Sequence, residues 1–208
     1  MENLIEEVVL IWGKGHHKAG FIFFDESQNE VELLIEPDFW MAGSRGSEQN
    51  EIVNSEGWTI SKNKKNVSER KTIGPYCKRV PDIVIKITTA DGFSKILVFD
   101  AKYSSENKSF TEYLPQLTMK YVHGLHRKDS GAMISSSLTI LCPSDSGLVR
   151  SFHSQNYAYD GNTPATPSLQ VVGLTPSEEI EDKLLQVVCK LLELSGVVLS
   201  QNIQLDTP

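Results

Sequence analysis

Two carboxylates and an amine stand at the ends of two apolar runs. Asp82 precedes Ile-Val-Ile-Lys-Ile, and Asp100 and Lys102 close Lys-Ile-Leu-Val-Phe-Asp-Ala-Lys-Tyr. Burying such charges is costly unless they pair with one another or bind a metal. Carboxylate oxygens are the ligands that hard divalent cations prefer. The three groups therefore form either a structural ion pair at a strand end or the core of a cation site.

Register decides whether they meet. The runs flank Thr88-Thr89-Ala90-Asp91-Gly92-Phe93-Ser94, which predicts a hairpin closed by an Asp-Gly turn. Strand side chains alternate, so Asp100 and Lys102 share a face. A two-residue loop at Asp91-Gly92 would pair position 82 with 101 and turn Asp82 to the other face. A three-residue loop, Asp91-Gly92-Phe93, pairs 82 with 102 and 84 with 100. All three groups then gather on one face. Gly92 supplies the left-handed residue such a loop needs. The expectation is an odd-length loop or an equivalent bulge.

Pro81-Asp82 followed by Asp100-Ala101-Lys102 resembles the signature of the PD-(D/E)XK nucleases, the restriction-endonuclease-like superfamily. Val-Phe-Asp-Ala-Lys-Tyr at 98–103 is similar to the nuclease subunit of McrBC-type restriction systems and related prokaryotic defence nucleases. The resemblance is carried by residues 80–103 and extends over a core of roughly residues 1–140. It implies a Mg²⁺-dependent endodeoxyribonuclease in antiphage restriction, with Mn²⁺ able to substitute. It implies that Asp82, Asp100 and the Ala101 carbonyl ligate the metal, and that Lys102 orients or deprotonates the attacking water. The chemistry agrees with the residue types: phosphodiester hydrolysis needs an activated water and charge relief on the phosphate, and a carboxylate-bound cation supplies both.

The resembled superfamily also often places a metal-binding Glu on its first helix. Residues 2–12 read as a helix, with Leu4, Ile5, Val8, Val9 and Trp12 at helical spacing and glycines at 13 and 15 to stop it. Glu6 and Glu7 are its candidates, Glu6 slightly favoured; the alternative is that both simply face water. His16 and His17 read as surface residues of a Gly-rich turn.

Composition narrows the setting. The chain has 208 residues and a net charge of −7, which disfavours a strong free-standing DNA binder and suggests a partner protein for target recognition. Charge is uneven: residues 62–79 hold seven basic groups against one acid. Lys64, Lys65, Arg70 and Lys71 in this run are candidate phosphate contacts, or else a solvated loop. Cys77, Cys142 and Cys189 are far apart, with no Cys-x-x-Cys pair, which fits a reducing cytoplasmic location and disfavours zinc. No segment reads as a signal peptide or a membrane span, so no membrane partner is expected.

The remaining elements must position the site. Ala19–Asp25 and Val31–Glu36 read as a hairpin, Pro37 to Glu56 as a polar loop, and Gly57–Ser61 as a short strand. Residues 111–127 read as a helix with an apolar stripe (Phe110, Tyr113, Leu114, Leu117, Tyr121, Leu125) and a polar, mostly cationic one (Gln116, Lys120, His123, Arg127). Gln116 and Lys120 are candidate nucleic-acid contacts on that second stripe. Some relatives in the resembled superfamily carry Gln-x-x-x-Tyr in this helix. Here Tyr121 follows Gln116 by five residues, so that motif does not transfer. Ser137–Cys142 and Leu169–Leu174 read as strands, 144–166 as a surface excursion, and Thr175-Pro-Ser-Glu as the start of a helix to about Leu194. The sum is one α/β domain over 1–208, with a mixed central β-sheet flanked by helices and a restriction-endonuclease-like core. DNA is the expected partner and RNA remains open. The alternative is a nuclease-fold subunit that binds or assembles without cutting.

Overall fold

The structure, a computed structural model, describes residues 19–60, 67–69, 77–144, 147–175 and 178–199. The helix expected over 2–12 with Glu6 and Glu7, and the basic residues Lys62, Lys64, Lys65, Arg70 and Lys71, lie outside them.

The β-branched runs assemble a seven-stranded mixed sheet. Its strands are β1 (Ala19–Phe24), β2 (Glu30–Ile35), β8 (Ile83–Thr88), β9 (Ser94–Ala101), β11 (Ser135–Pro143), β13 (Ser168–Leu174) and β12 (Val149–Ser151), in that spatial order. The first four pair antiparallel, β11 lies parallel to both β9 and β13, and β12 closes the edge antiparallel. Smaller two-stranded pairs join β3 (Phe39–Trp40) to β7 (Lys78–Arg79), β4 (Ile52–Asn54) to β10 (Leu125–Arg127), and β5 (Trp58–Ile60) to β6 (Val67–Glu69). The segment expected as a polar loop, 37–56, thus holds two short strands, and the excursion at 144–166 contains the edge strand β12. These strands are only two or three residues long, too short to show a period in sequence.

Alternation along β9 divides the core. Val84, Ile96 and Val98 face one cluster with Leu114, Leu117 and Tyr121. Ile85, Ile87, Leu97 and Phe99 face the other, with Val187 and Leu191. A helix covers each side, giving an α/β/α arrangement. The second is α2 (Glu178–Leu194), which packs Leu184, Val187, Val188, Leu191 and Leu192 against the sheet.

The first covering helix, α1, spans 106–122 rather than 111–127. Ser105 caps it, its Oγ accepting from the Lys108 N–H. The run alternates an α turn (Glu106–Lys108), a π segment (Ser109–Tyr113), an α segment (Leu114–Leu117) and a second π segment (Thr118–Val122). Pro115 has no N–H to return to the preceding turn, and the wider π turn before it absorbs that loss without ending the helix. Gly124 then lets the chain leave: a Cβ there would fall 2.3 Å from the Lys120 carbonyl oxygen. Leu125 and Arg127 consequently belong to a strand, not to the helix.

Candidate active site

The β8–β9 hairpin brings the sequence-selected charges to one end of the sheet. Its register pairs Ile83 with Phe99 and Thr88 with Ser94. Beyond Thr88, the Thr89 N–H donates to the Phe93 carbonyl at 2.9 Å and the Gly92 N–H to the Thr89 carbonyl at 2.8 Å. The loop proper is therefore Ala90-Asp91-Gly92, with Gly92 at φ +80°. It is odd in length, as expected, but begins one residue earlier. Position 84 pairs with 98, not 100, and continuing the ladder sets 82 against 100, not 102. Parity survives this shift of two, so Asp82 and Asp100 remain on the side of Val84 and Val98, toward α1.

Asp100 is buried, 2 % exposed, between β8 and β11. The Lys102 ammonium forms an ion pair with its Oδ1. Lys102 Nζ also donates to the Ala101 carbonyl at 3.0 Å. Across the hairpin, Asp82 Oδ2 accepts from the Ala101 N–H at 2.6 Å. Asp82 thus takes over the ladder position that β8 vacates at Pro81. Burial lowers the Lys102 pKa, and the Asp82 charge opposes that shift in part.

Helix α1 adds a second amine. Lys120 Nζ donates to the Tyr121 hydroxyl at 2.6 Å, and that hydroxyl donates to the Val80 carbonyl at 3.1 Å. Burial, then the cationic Arg79 and Lys102, bring the Lys120 pKa down to about 8, against the opposing pull of Glu56 and Asp82. Burial drives the Tyr121 phenol upward, so it stays protonated. Arg79 of β7 is ion-paired with Glu56 beside this group. Sequence reasoning missed Tyr121, Arg79 and Glu56. Arg79 stands two residues before Pro81 and was a legible neighbour; Glu56 is brought in by the fold alone.

The other candidates separate. Gln116 is exposed. Arg127 pairs with Asp129 at 3.0 Å and lies over the Phe93 ring, at the hairpin tip and so at the opposite end from Asp82. The cationic stripe therefore is not one surface, because the helix ends at Val122. Only Lys120 joins the site.

A hard divalent cation fits the donor set. The buried Asp100 carboxylate, the Asp82 carboxylate across the hairpin and the Ala101 backbone carbonyl are all oxygen ligands. Among the described residues no cluster of three or more His, Cys, Asp or Glu side chains suited to a metal occurs.

No protein-family model, no curated protein and no solved structure matches this chain. Among the described residues no helix is long and apolar enough to cross a membrane.

Proposed function

We propose that this protein is a metal-dependent nuclease that hydrolyses phosphodiester bonds, most simply a DNA endonuclease of prokaryotic antiphage defence built on a restriction-endonuclease-like core. One observation carries the reading. Asp100 is buried at the end of its strand, with Lys102 paired to its Oδ1 and Asp82 one strand away. Charge gathered at that depth is costly to keep for stability alone.

Asp82, Asp100 and the Ala101 carbonyl hold Mg²⁺ or Mn²⁺ in this reading. The bound ion supplies Lewis acidity and lowers the pKa of a coordinated water. Lys102, its own pKa lowered by burial, holds the attacking water and takes up its proton, or neutralises the phosphate as charge builds. Lys120 and Arg79 add positive charge where a phosphate would sit. The net charge of −7 leaves recognition of the target to a partner protein, and the three free thiols suit a reducing cytoplasm.

A second reading has its own support: the direct Lys102–Asp100 ion pair. An acid already neutralised by its neighbour needs no metal, and a module that binds nucleic acid without cutting it would keep such a pair. Incubating supercoiled plasmid with the protein and Mg²⁺ or Mn²⁺, with and without EDTA, separates the two. Metal-dependent nicking that disappears in Asp82→Asn supports the nuclease. Plasmid left intact under every condition defeats it.

A further inference from the structure

We propose that the groove beside Lys102 seats one unpaired nucleotide of the target strand, with its base stacked on Tyr103. The inference rests on the nuclease reading and narrows its substrate to nucleic acid with unpaired bases. The groove is shallow and open to solvent, with a volume of about 340 Å³, and is lined by Tyr103, Ser104, Ser105, Pro143 and Ser144. That volume is at the small end of ligand sites. It opens where the parallel neighbours β9 and β11 both end, one residue past the amine of the candidate site.

The lining selects the ligand. Among the described residues it offers hydroxyls, a phenol ring and a proline, and no charged side chain. These groups give a phosphate no counter-charge, whereas Lys102, Lys120 and Arg79 next door do. Tyr103 supplies a ring for the face of a base. Charge and stacking surface lie side by side, as phosphate and base do along a polynucleotide. Tyr103 is 100 % exposed, so its ring packs against nothing in the fold. Inside a duplex both faces of a base are covered by its neighbours. Only a base outside the stack can lie on Tyr103. Single-stranded regions, flaps and frayed ends meet that requirement.

The test reads binding rather than cutting. Oligonucleotides containing 2-aminopurine, in deoxy and ribo forms, are titrated in EDTA with the wild-type, Tyr103→Phe and Tyr103→Ala proteins. The single strand should bind the wild type and the Phe variant with quenched fluorescence. Tyr103→Ala should bind on the order of ten-fold more weakly, without quenching, and should melt at the wild-type temperature. The same base paired in a duplex should escape quenching. Equal affinity and quenching in Tyr103→Ala, or quenching of the paired base, would overturn the groove assignment. Tyr103-dependent quenching in a protein that nicks no plasmid would uphold the groove and sink the nuclease reading alone. Plasmid nicking alongside Tyr103-independent binding would do the reverse.

Discussion

The Asp82 carboxylate accepts a 2.6 Å hydrogen bond from the Ala101 backbone N–H. It thereby fastens the chain entering β8 to the last residue of β9. One acid is both a candidate ligand and a strand-end cap, so its two roles can be separated by substitution.

Asp82→Asn keeps an oxygen acceptor for the Ala101 N–H and removes the charge. Stability should stay within about 0.5 kcal/mol of wild type, while metal-dependent cleavage disappears. Asp82→Ala also loses the acceptor and should cost about 1 kcal/mol more. Urea denaturation of both variants, with cleavage assayed in parallel, checks this. An active Asp82→Asn protein would remove the acid from the chemistry.

Lys102→Met strips Asp100 of its counter-charge. A broken buried pair is strongly destabilising, but this amine is partly exposed, so a loss of about 2 kcal/mol is expected. A cation that takes the same oxygens should restore part of it. Added Mn²⁺ should therefore raise the melting temperature of Lys102→Met more than that of the wild type. Identical melting curves with and without Mn²⁺ would argue for the structural pair.

Lys120 carries a pH signature. Its folded-state pKa of about 8 lies below the usual lysine value, so the unfolded chain binds the proton more tightly. Between about pH 8 and the usual lysine pKa the unfolded state holds more protons, and stability rises with pH across that window. Lys120→Met should lack this rise, which urea midpoints at pH 7.5, 9 and 10 would show. Oligonucleotide binding by the wild type should weaken above pH 8 as the charge is lost. Arg79→Gln, which removes a cation that depresses the Lys120 pKa, should move that midpoint upward, and Glu56→Gln should move it downward.

Tyr121→Phe deletes the hydroxyl that joins Lys120 to the Val80 carbonyl. The ring itself is fully buried and its packing is unchanged by the substitution. A destabilisation of about 1–2 kcal/mol is expected from the unpaired carbonyl and amine. Thermal unfolding that matches wild type would show that water replaces the hydroxyl.

Gly92→Ala probes the hairpin at the end away from the site. With φ at +80°, a Cβ should cost about 1 kcal/mol. The nearest neighbours leave room for it, so the loss comes from backbone conformation alone. Cleavage should be retained, since the loop sets register by its length and not by contact with Asp82.

Local pattern made the hairpin and its chemistry legible. Alternating β-branched residues gave β1, β2, β8 and β9 within a residue or so, and parity of the Asp-Gly loop placed Asp82, Asp100 and Lys102 on one side even though the loop began a residue early. The stripe Leu114, Leu117 and Tyr121 gave the buried face of α1. Its ends differ from 111–127 because π segments carry the helix through Pro115 and Gly124 turns the chain out after Val122.

Which residues bear charge, which strands carry them and which side they share can be read along the chain, because these follow from a two-residue period and the length of one loop. That Lys120, Tyr121, Arg79 and Glu56 join that charge while Arg127 does not is a product of the fold. Their meeting depends on where α1 stops and how it lies across the sheet. Those are set by long-range packing and by a glycine pressed against a carbonyl, neither of which leaves a period in the chain.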